Sequence, residues 1–234
     1  MIFNINCESR EGFDPKKYGR ENQDAFAIDY TGRECCLCMA DGAGSKRYSA
    51  LGAKWLVHDI CGFMMQNAGE LFTSDEETIH KRLDECIKHS LDKTSRLQRV
   101  ELSELASTLI CVLTDGRDYL IVHLGDGCVT AERGGYFNVL SFPQNGAIRQ
   151  STALTTMPAA GKYLRIQKGS CSDISIFWVM TDGAMAEIFE RNYGLNGEKL
   201  SMPMIRRRLA NGSSDDATYG YITWNTDERI TKIK

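Results

Sequence analysis

Short apolar runs rich in β-branched residues recur along this chain, and several of them stop or start on an aspartate. Leu109 to Leu113, Tyr119 to Leu124 and Ile174 to Met180 carry almost no charge, as strands inside a sheet require. Asp115-Gly116 between the first two is a strong hairpin signal. Asp24 to Ile28 and Glu34 to Ala40 read as two further strands around the turn material Tyr30-Thr31-Gly32. Cys128 to Glu132 and Tyr136 to Leu140 pivot on Gly134-Gly135 and read as a continuation of the same meander. Ala217 to Trp224 reads as a last strand.

Helical periodicity fills the gaps. Ala53, Leu56, Val57, Ile60, Cys61 and Met64 recur at three-four spacing. A second helix is predicted from Ser74, where Ser74-x-x-Glu77 forms a capping box and Ile79, Leu83, Ile87 and Leu91 make one stripe. Shorter helices are expected at Ala184 to Glu190 and Lys199 to Ala210, with Pro203 near the start of the latter. Many antiparallel strands with segregated helices predict an α+β fold. The expected form is a four-layer α-β-β-α sandwich, two stacked mainly antiparallel sheets flanked by helix pairs. At 234 residues, 42% apolar and 25% charged, one packed domain spanning 1–234 is expected.

Several function classes lose ground. A formal net charge of −3 gives no electrostatic footprint for nucleic acid or an anionic membrane. Arg206-Arg207-Arg208 is the one strong basic cluster, read as a solvated helix face or, failing that, a contact for an acidic partner. No apolar run approaches the roughly 20 residues that span a bilayer. Met1-Ile2-Phe3-Asn4 lacks a basic leader followed by an apolar stretch, so a cytoplasmic protein is expected. The nine cysteines sit largely inside apolar runs, as in Cys35-Cys36-Leu37-Cys38 and Ile110-Cys111-Val112, and are expected to be reduced and packed as small hydrophobes. Zinc is not expected: Cys36 on a strand is taken to point away from Cys35 and Cys38, and the four histidines show no ligand spacing.

Asp41, Asp182 and Asp215 fall at the ends or starts of apolar strands, and glycine follows the first two. A strand end fixes a carboxylate, and glycine lets a ligand approach the backbone, so such corners suit hard cations such as Mg²⁺ or Mn²⁺. Asp-Gly is also a common tight turn, and Asp115-Gly116 reads as an ordinary hairpin. Asp41-Gly42 and Asp182-Gly183 differ because each joins a strand to a helix.

In order, Gly19-Arg20-Glu21-Asn22-Gln23-Asp24-Ala25, Met39-Ala40-Asp41-Gly42-Ala43-Gly44-Ser45, Ala106-Ser107-Thr108-Leu109, Leu124-Gly125-Asp126-Gly127, Met180-Thr181-Asp182-Gly183 and Asp215-Asp216-Ala217-Thr218 resemble the type 2C metal-dependent protein phosphatases, in particular the compact bacterial branch. Each motif alone is weak; their order over nearly the whole chain is not. The resemblance implies a β-sandwich flanked by helices and hydrolysis of phosphoserine or phosphothreonine in proteins, opposing a serine/threonine kinase. It implies two Mg²⁺ or Mn²⁺ ions holding a hydroxide, with a third, weaker metal site. Asp41 would bridge the two ions, the Gly42 carbonyl would meet one of them, and Asp182 and Asp215 the other. Asp24 would act mainly through water, and Asp126 with Asp182 would hold the third ion. Asp216 remains the alternative to Asp215, and a hairpin explains Asp126-Gly127 about as well as a metal does.

Arg20 is the candidate to grip the substrate phosphate, since guanidinium pairs with phosphate oxygens, and Lys16 or Lys17 are possible substitutes. Ala43 stands where many animal members carry a histidine, so the general acid is unassigned. The stretch from Gly127 to Asp182 predicts a reduced flap and an open site. His123 is expected to be packed rather than catalytic, the Ser107-Thr108 hydroxyls to satisfy backbone, and Trp55, Trp178 and Trp224 to be core. The expected partner is a phosphorylated protein, met by a monomer. The alternatives are a catalytically silent phosphoprotein-binding regulator and a small-molecule phosphatase.

Overall fold

The computed structural model describes residues 1–13, 21–144, 152–190, 193–195 and 197–225. Its strands are β1 (Ile2–Arg10), β2 (Asp24–Tyr30), β3 (Cys35–Asp41), β4 (Leu109–Thr114), β5 (Asp118–Leu124), β6 (Cys128–Arg133), β7 (Tyr136–Ser141), β8 (Arg165–Ser170), β9 (Ile174–Met180) and β10 (Ala217–Asn225). The α-helices are α1 (Ser49–Gln66), α2 (Ala68–Thr73), α3 (Glu76–Gln98), α4 (Asp182–Ile188) and α5 (Met202–Arg208). Two five-stranded sheets run in the orders β1-β10-β9-β6-β7 and β2-β3-β4-β5-β8. Every pairing within them is antiparallel.

Apolar alternation explains the stacking. Leu37 and Met39 on β3, Val112 on β4 and Ile121 on β5 face the other sheet's Val129, Phe177 and Val179 and form the middle layer. The opposite faces of those first strands bury Cys36, Cys38, Leu109, Cys111 and Leu120 against Leu56, Ile60, Leu83 and Ile87 of α1 and α3. On the far side, Trp178, Met180 and Tyr219 pack under Ile188, Met204 and Ile205 of α4 and α5. Each fully buried large aliphatic side chain contributes about 1.5–3 kcal/mol, so these layers dominate stability. The α-β-β-α order is the expected one.

The structure also departs from expectation. β6 and β7 do not continue the β4–β5 meander: the chain crosses from one sheet to the other at Gly125-Asp126-Gly127, so this segment is a crossover and no hairpin. β1 and β8 are unforeseen edge strands, and most of their residues are only partly buried, so neither carries an apolar run. The cap of α3 is Asp75, whose side chain accepts from the Thr78 N–H, while Ser74 Oγ donates back to the Glu70 carbonyl and closes the unforeseen α2. Trp55 is 36% exposed, with the Lys93 ammonium 5.6 Å from its ring, so it is no core residue; Trp178 is buried and Trp224 partly so.

Cys36 and Cys38 point to the same face of β3, with Sγ atoms 3.6 Å apart, because side chains two apart on a strand share a side. The expectation that they diverge is therefore wrong. All nine cysteines are free thiols. The arginine cluster is engaged within the chain, Arg206 with Glu8 and both Arg207 and Arg208 with Glu198. Among the described residues no helix is long and apolar enough to cross a membrane.

Candidate metal centre

The predicted acidic residues gather at one end of the sandwich because each sits where a strand meets that edge. Asp24 opens β2 and Asp41 closes β3, and antiparallel register sets them directly opposite each other. Asp126 lies in the crossover after β5. Asp182 follows β9 as the first residue of α4, and Asp215 precedes β10. One carboxylate oxygen from each of Asp41, Asp126 and Asp182 lies within 4.8 Å of the others. Asp215 is near enough to raise the pKa of both Asp41 and Asp182.

Like charges directly across a strand pair are destabilising, and here burial compounds the repulsion. Asp41 is held well above the usual carboxylate range, first by desolvation and then by Asp24, Asp182, Asp126 and Asp215. Asp24 is pushed up to about 7, chiefly by desolvation, although hydrogen bonds from Thr218 and Thr181 pull the other way. Asp182 rises to about 6 through desolvation, Asp126 and Asp215.

A divalent cation fits this arrangement. Asp24 Oδ1 and Asp126 Oδ1 are buried with no hydrogen-bond partner, an expensive condition for a carboxylate oxygen unless a cation meets it. The all-oxygen donor set suits Mg²⁺ or Mn²⁺. The remaining oxygens are held: Thr181 Oγ1 donates to Asp24 Oδ2 at 2.9 Å, and Thr152 Oγ1 donates to Asp126 Oδ2. Thr108 Oγ1 accepts from the Asp41 N–H at 2.9 Å, and the Thr108 N–H donates to the Asp41 carbonyl, so its hydroxyl serves the backbone as expected.

Asp216 behaves differently from its neighbour. It is 5% exposed, and its two oxygens accept from the backbone N–H groups of Gly12 and Gln23, each at 2.8 Å. It thereby staples the end of β1 and the start of β2 to the β10 turn. Sequence reasoning missed this role; the adjacent acids gave no sign of which one faces the cluster.

The glycines are steric necessities. A Cβ on Gly42 would lie 2.7 Å from the Gln23 carbonyl oxygen, and one on Gly183 would lie 2.1 Å from the Asp216 carbonyl oxygen. His123 is buried, with Nδ1 2.7 Å from both Ser141 Oγ and Arg165 Nη2; burial lowers its pKa to about 3. It is a packed, neutral imidazole. Arg20, Lys16 and Lys17 lie outside the described residues, as does part of the segment expected to form the flap.

A cleft of about 610 Å³ opens between Glu21, Gln23, Ser45, Lys46, Arg47, Ala50 and Glu104. A second of about 520 Å³ shares Glu21 and Ala50 and reaches Asp24, Phe26, Lys54 and His58. Both run along the start of α1, and the second meets the acidic cluster at Asp24.

The family model for protein phosphatase 2C matches residues 15–218. The fold is similar to that of the serine/threonine phosphatase Stp1 from Staphylococcus aureus, with 13% identity and TM-score 0.69 over 97% of this chain and 96% of that one. It is also similar to the Mycobacterium tuberculosis serine/threonine phosphatase PstP/Ppp, with 13% identity and TM-score 0.63 over 97% and 100%. The PstP catalytic domain in complex with two manganese ions matches at 12% identity and TM-score 0.64, over 94% and 97%. No curated protein sequence matches the chain. The chain belongs to the protein phosphatase 2C family, the metal-dependent serine/threonine phosphatases.

Proposed function

We propose that this chain hydrolyses phosphoserine and phosphothreonine in a protein substrate with two Mg²⁺ or Mn²⁺ ions held at the Asp41 corner, opposing a serine/threonine kinase. The observation that carries the reading is the convergence of Asp41, Asp126 and Asp182 oxygens within 4.8 Å, from strands far apart in sequence. Asp41 would be the ligand common to both ions, since Asp24, Asp182, Asp126 and Asp215 lie around it. The Gly42 carbonyl, Asp182 and Asp215 complete the two sites, and Asp126 with Asp182 offers a weaker third. Asp216 is not a ligand, because both its oxygens are committed to backbone N–H groups.

Bound divalent cations supply two things that phosphate monoester hydrolysis needs, a water made acidic enough to attack near neutral pH and neutralisation of phosphoryl charge. The chain supplies the rest. Asp24 Oδ1, buried and unpartnered, orients a water as hydrogen-bond acceptor while Thr181 fixes its other oxygen. Arg20 pairs with the phosphate oxygens. No side-chain acid is assigned to the leaving group: Ala43 replaces the histidine of other members, and the buried His123, neutral near pH 7, is far too weak an acid to serve.

The protein acts as a monomeric, single-domain, cytoplasmic enzyme, with the paired clefts along α1 accommodating the segment around the phosphorylated residue. Release of phosphate from a phosphothreonine peptide is expected to require Mn²⁺ or Mg²⁺ and to stop with a chelator. Asp182→Ala should lower kcat by at least ~10²-fold, about 2.7 kcal/mol of barrier. Metal-independent hydrolysis, or none from any phosphopeptide with both metals supplied, refutes the reading. Faster turnover of sugar phosphates or nucleotides than of phosphopeptides would overturn the substrate assignment.

A further inference from the structure

A second cluster of ligand-type side chains lies on the other face of β3, inside the layer between that sheet and α1. Cys36 and Cys38 of β3 and Cys61 of α1 are at most 2% exposed, and one sulfur from each lies within 4.8 Å of the others. The Cys36 and Cys38 sulfurs are 3.6 Å apart, and Cys61 Sγ lies 3.9 Å from the Cys36 carbonyl. Cys111 on β4 stands directly opposite Cys38 in the register, outside the group of three.

Sulfur spacing decides what such a cluster can hold. For three atoms no more than 4.8 Å apart there is a point within about 2.8 Å of all of them, close to the ~2.3 Å of a zinc–thiolate bond. A d¹⁰ cation therefore fits between the sulfurs with shifts of a few tenths of an ångström, a rotamer adjustment. The donors are thiols alone, which select soft cations and leave Mg²⁺ and Mn²⁺ to the carboxylates on the opposite side of Asp41. Free thiols in reducing surroundings are more often metal ligands than disulfide halves.

We infer that Cys36, Cys38 and Cys61 form a buried thiolate site for zinc that clips α1 to β3. Binding replaces thiol protons by metal–sulfur bonds, with one proton released per coordinating thiol and no change of oxidation state. Full burial means that the ion is captured as α1 docks during folding and then exchanges slowly. The clip sits three residues before Asp41, so it fixes the strand that presents that carboxylate.

The full chain, unfolded under reducing conditions and refolded with cadmium as reporter, is expected to show the near-ultraviolet charge-transfer absorption of cadmium–thiolate bonds. Refolded with zinc and then treated with a chelator, it should retain one zinc per chain in native mass spectra. Cys36→Ala and Cys61→Ala should each abolish the retained ion, whereas Cys86→Ser, away from the cluster, should keep it. If either cluster variant fails to fold, Cys61→Ser and Cys38→Ser are read instead, and the wild-type measurements stand without any variant. A folded wild-type chain with no cadmium–thiolate band and no retained zinc overturns the inference. So does a retained ion that persists in folded cluster variants. Asp41→Asn separates the two centres, since the zinc should survive a change that removes manganese binding.

Discussion

A carboxylate already bound to two backbone N–H groups has little left to offer a cation, and this separates Asp216 from Asp215. Asp216→Ala is expected to cost about 1.5–3 kcal/mol, and at ~2–4 °C per kcal/mol for a domain of this size the melting temperature should fall visibly. Asp215→Ala should leave it nearly unchanged and weaken Mn²⁺ binding measured by calorimetry. The reverse pattern would assign the metal to Asp216. The other aspartates carry stored repulsion. Asp24 and Asp182 have folded-state pKa values raised from 3.8 to about 7 and about 6, so the protonated forms favour the fold. That contribution is complete below about pH 4 and is lost as pH rises through 6 and 7. Metal-free protein should therefore melt at progressively lower temperature from about pH 4 to about pH 7, and saturating Mn²⁺ should flatten the trend. Asp182→Asn should raise the melting temperature of the metal-free protein while abolishing phosphatase activity, and thermal scans in chelator test it. Sequence showed which aspartates sit at strand ends, but the Asp215–Asp216 choice depends on which side chain meets the Gly12 and Gln23 amides, a contact between distant segments that no local pattern encodes.

At the level of elements, the start of α3 offers a clean contrast. Asp75 accepts from the Thr78 N–H, so Asp75→Ala should cost about 0.5–2 kcal/mol, whereas Ser74→Ala, which removes only a donor to the Glu70 carbonyl, should cost less. Chemical denaturation separates them, and phosphatase activity should follow neither. The capping box misplaced this cap by one residue because Ser74 and Asp75 are both good caps and only the chain direction leaving α2 chooses between them. Central strands were legible because β3, β4 and β5 bury nearly every residue. The edge strands β1 and β8 were not, since their stability comes from pairing with β10 and β5 rather than from an apolar run. The two-residue repeat of a strand puts Cys36 and Cys38 on one face, against the expectation that they diverge, and that Cys61 meets them required knowing where α1 docks.

Across the whole molecule, order of motifs and layer architecture were both readable, because a buried sheet imposes apolar runs and the carboxylates must fall where those runs end. The crossover at Asp126 was not, since a chain leaving one sheet for another looks locally like a hairpin. What the fold achieves is convergence: β2, β3, the β5–β6 crossover, β9 and the turn before β10 deliver Asp24, Asp41, Asp126, Asp182 and Asp215 to one end of the sandwich. The central claim is that this acidic end is a divalent-cation centre. Anomalous diffraction at the manganese edge, from crystals grown with Mn²⁺, addresses it without reference to any substrate. Two strong peaks are predicted on either side of the Asp41 carboxylate, one of them shared with Asp182 and Asp215 and neither touching Asp216. Ordered crystals with manganese elsewhere, or with no anomalous peak within bonding distance of Asp41, would contradict the account.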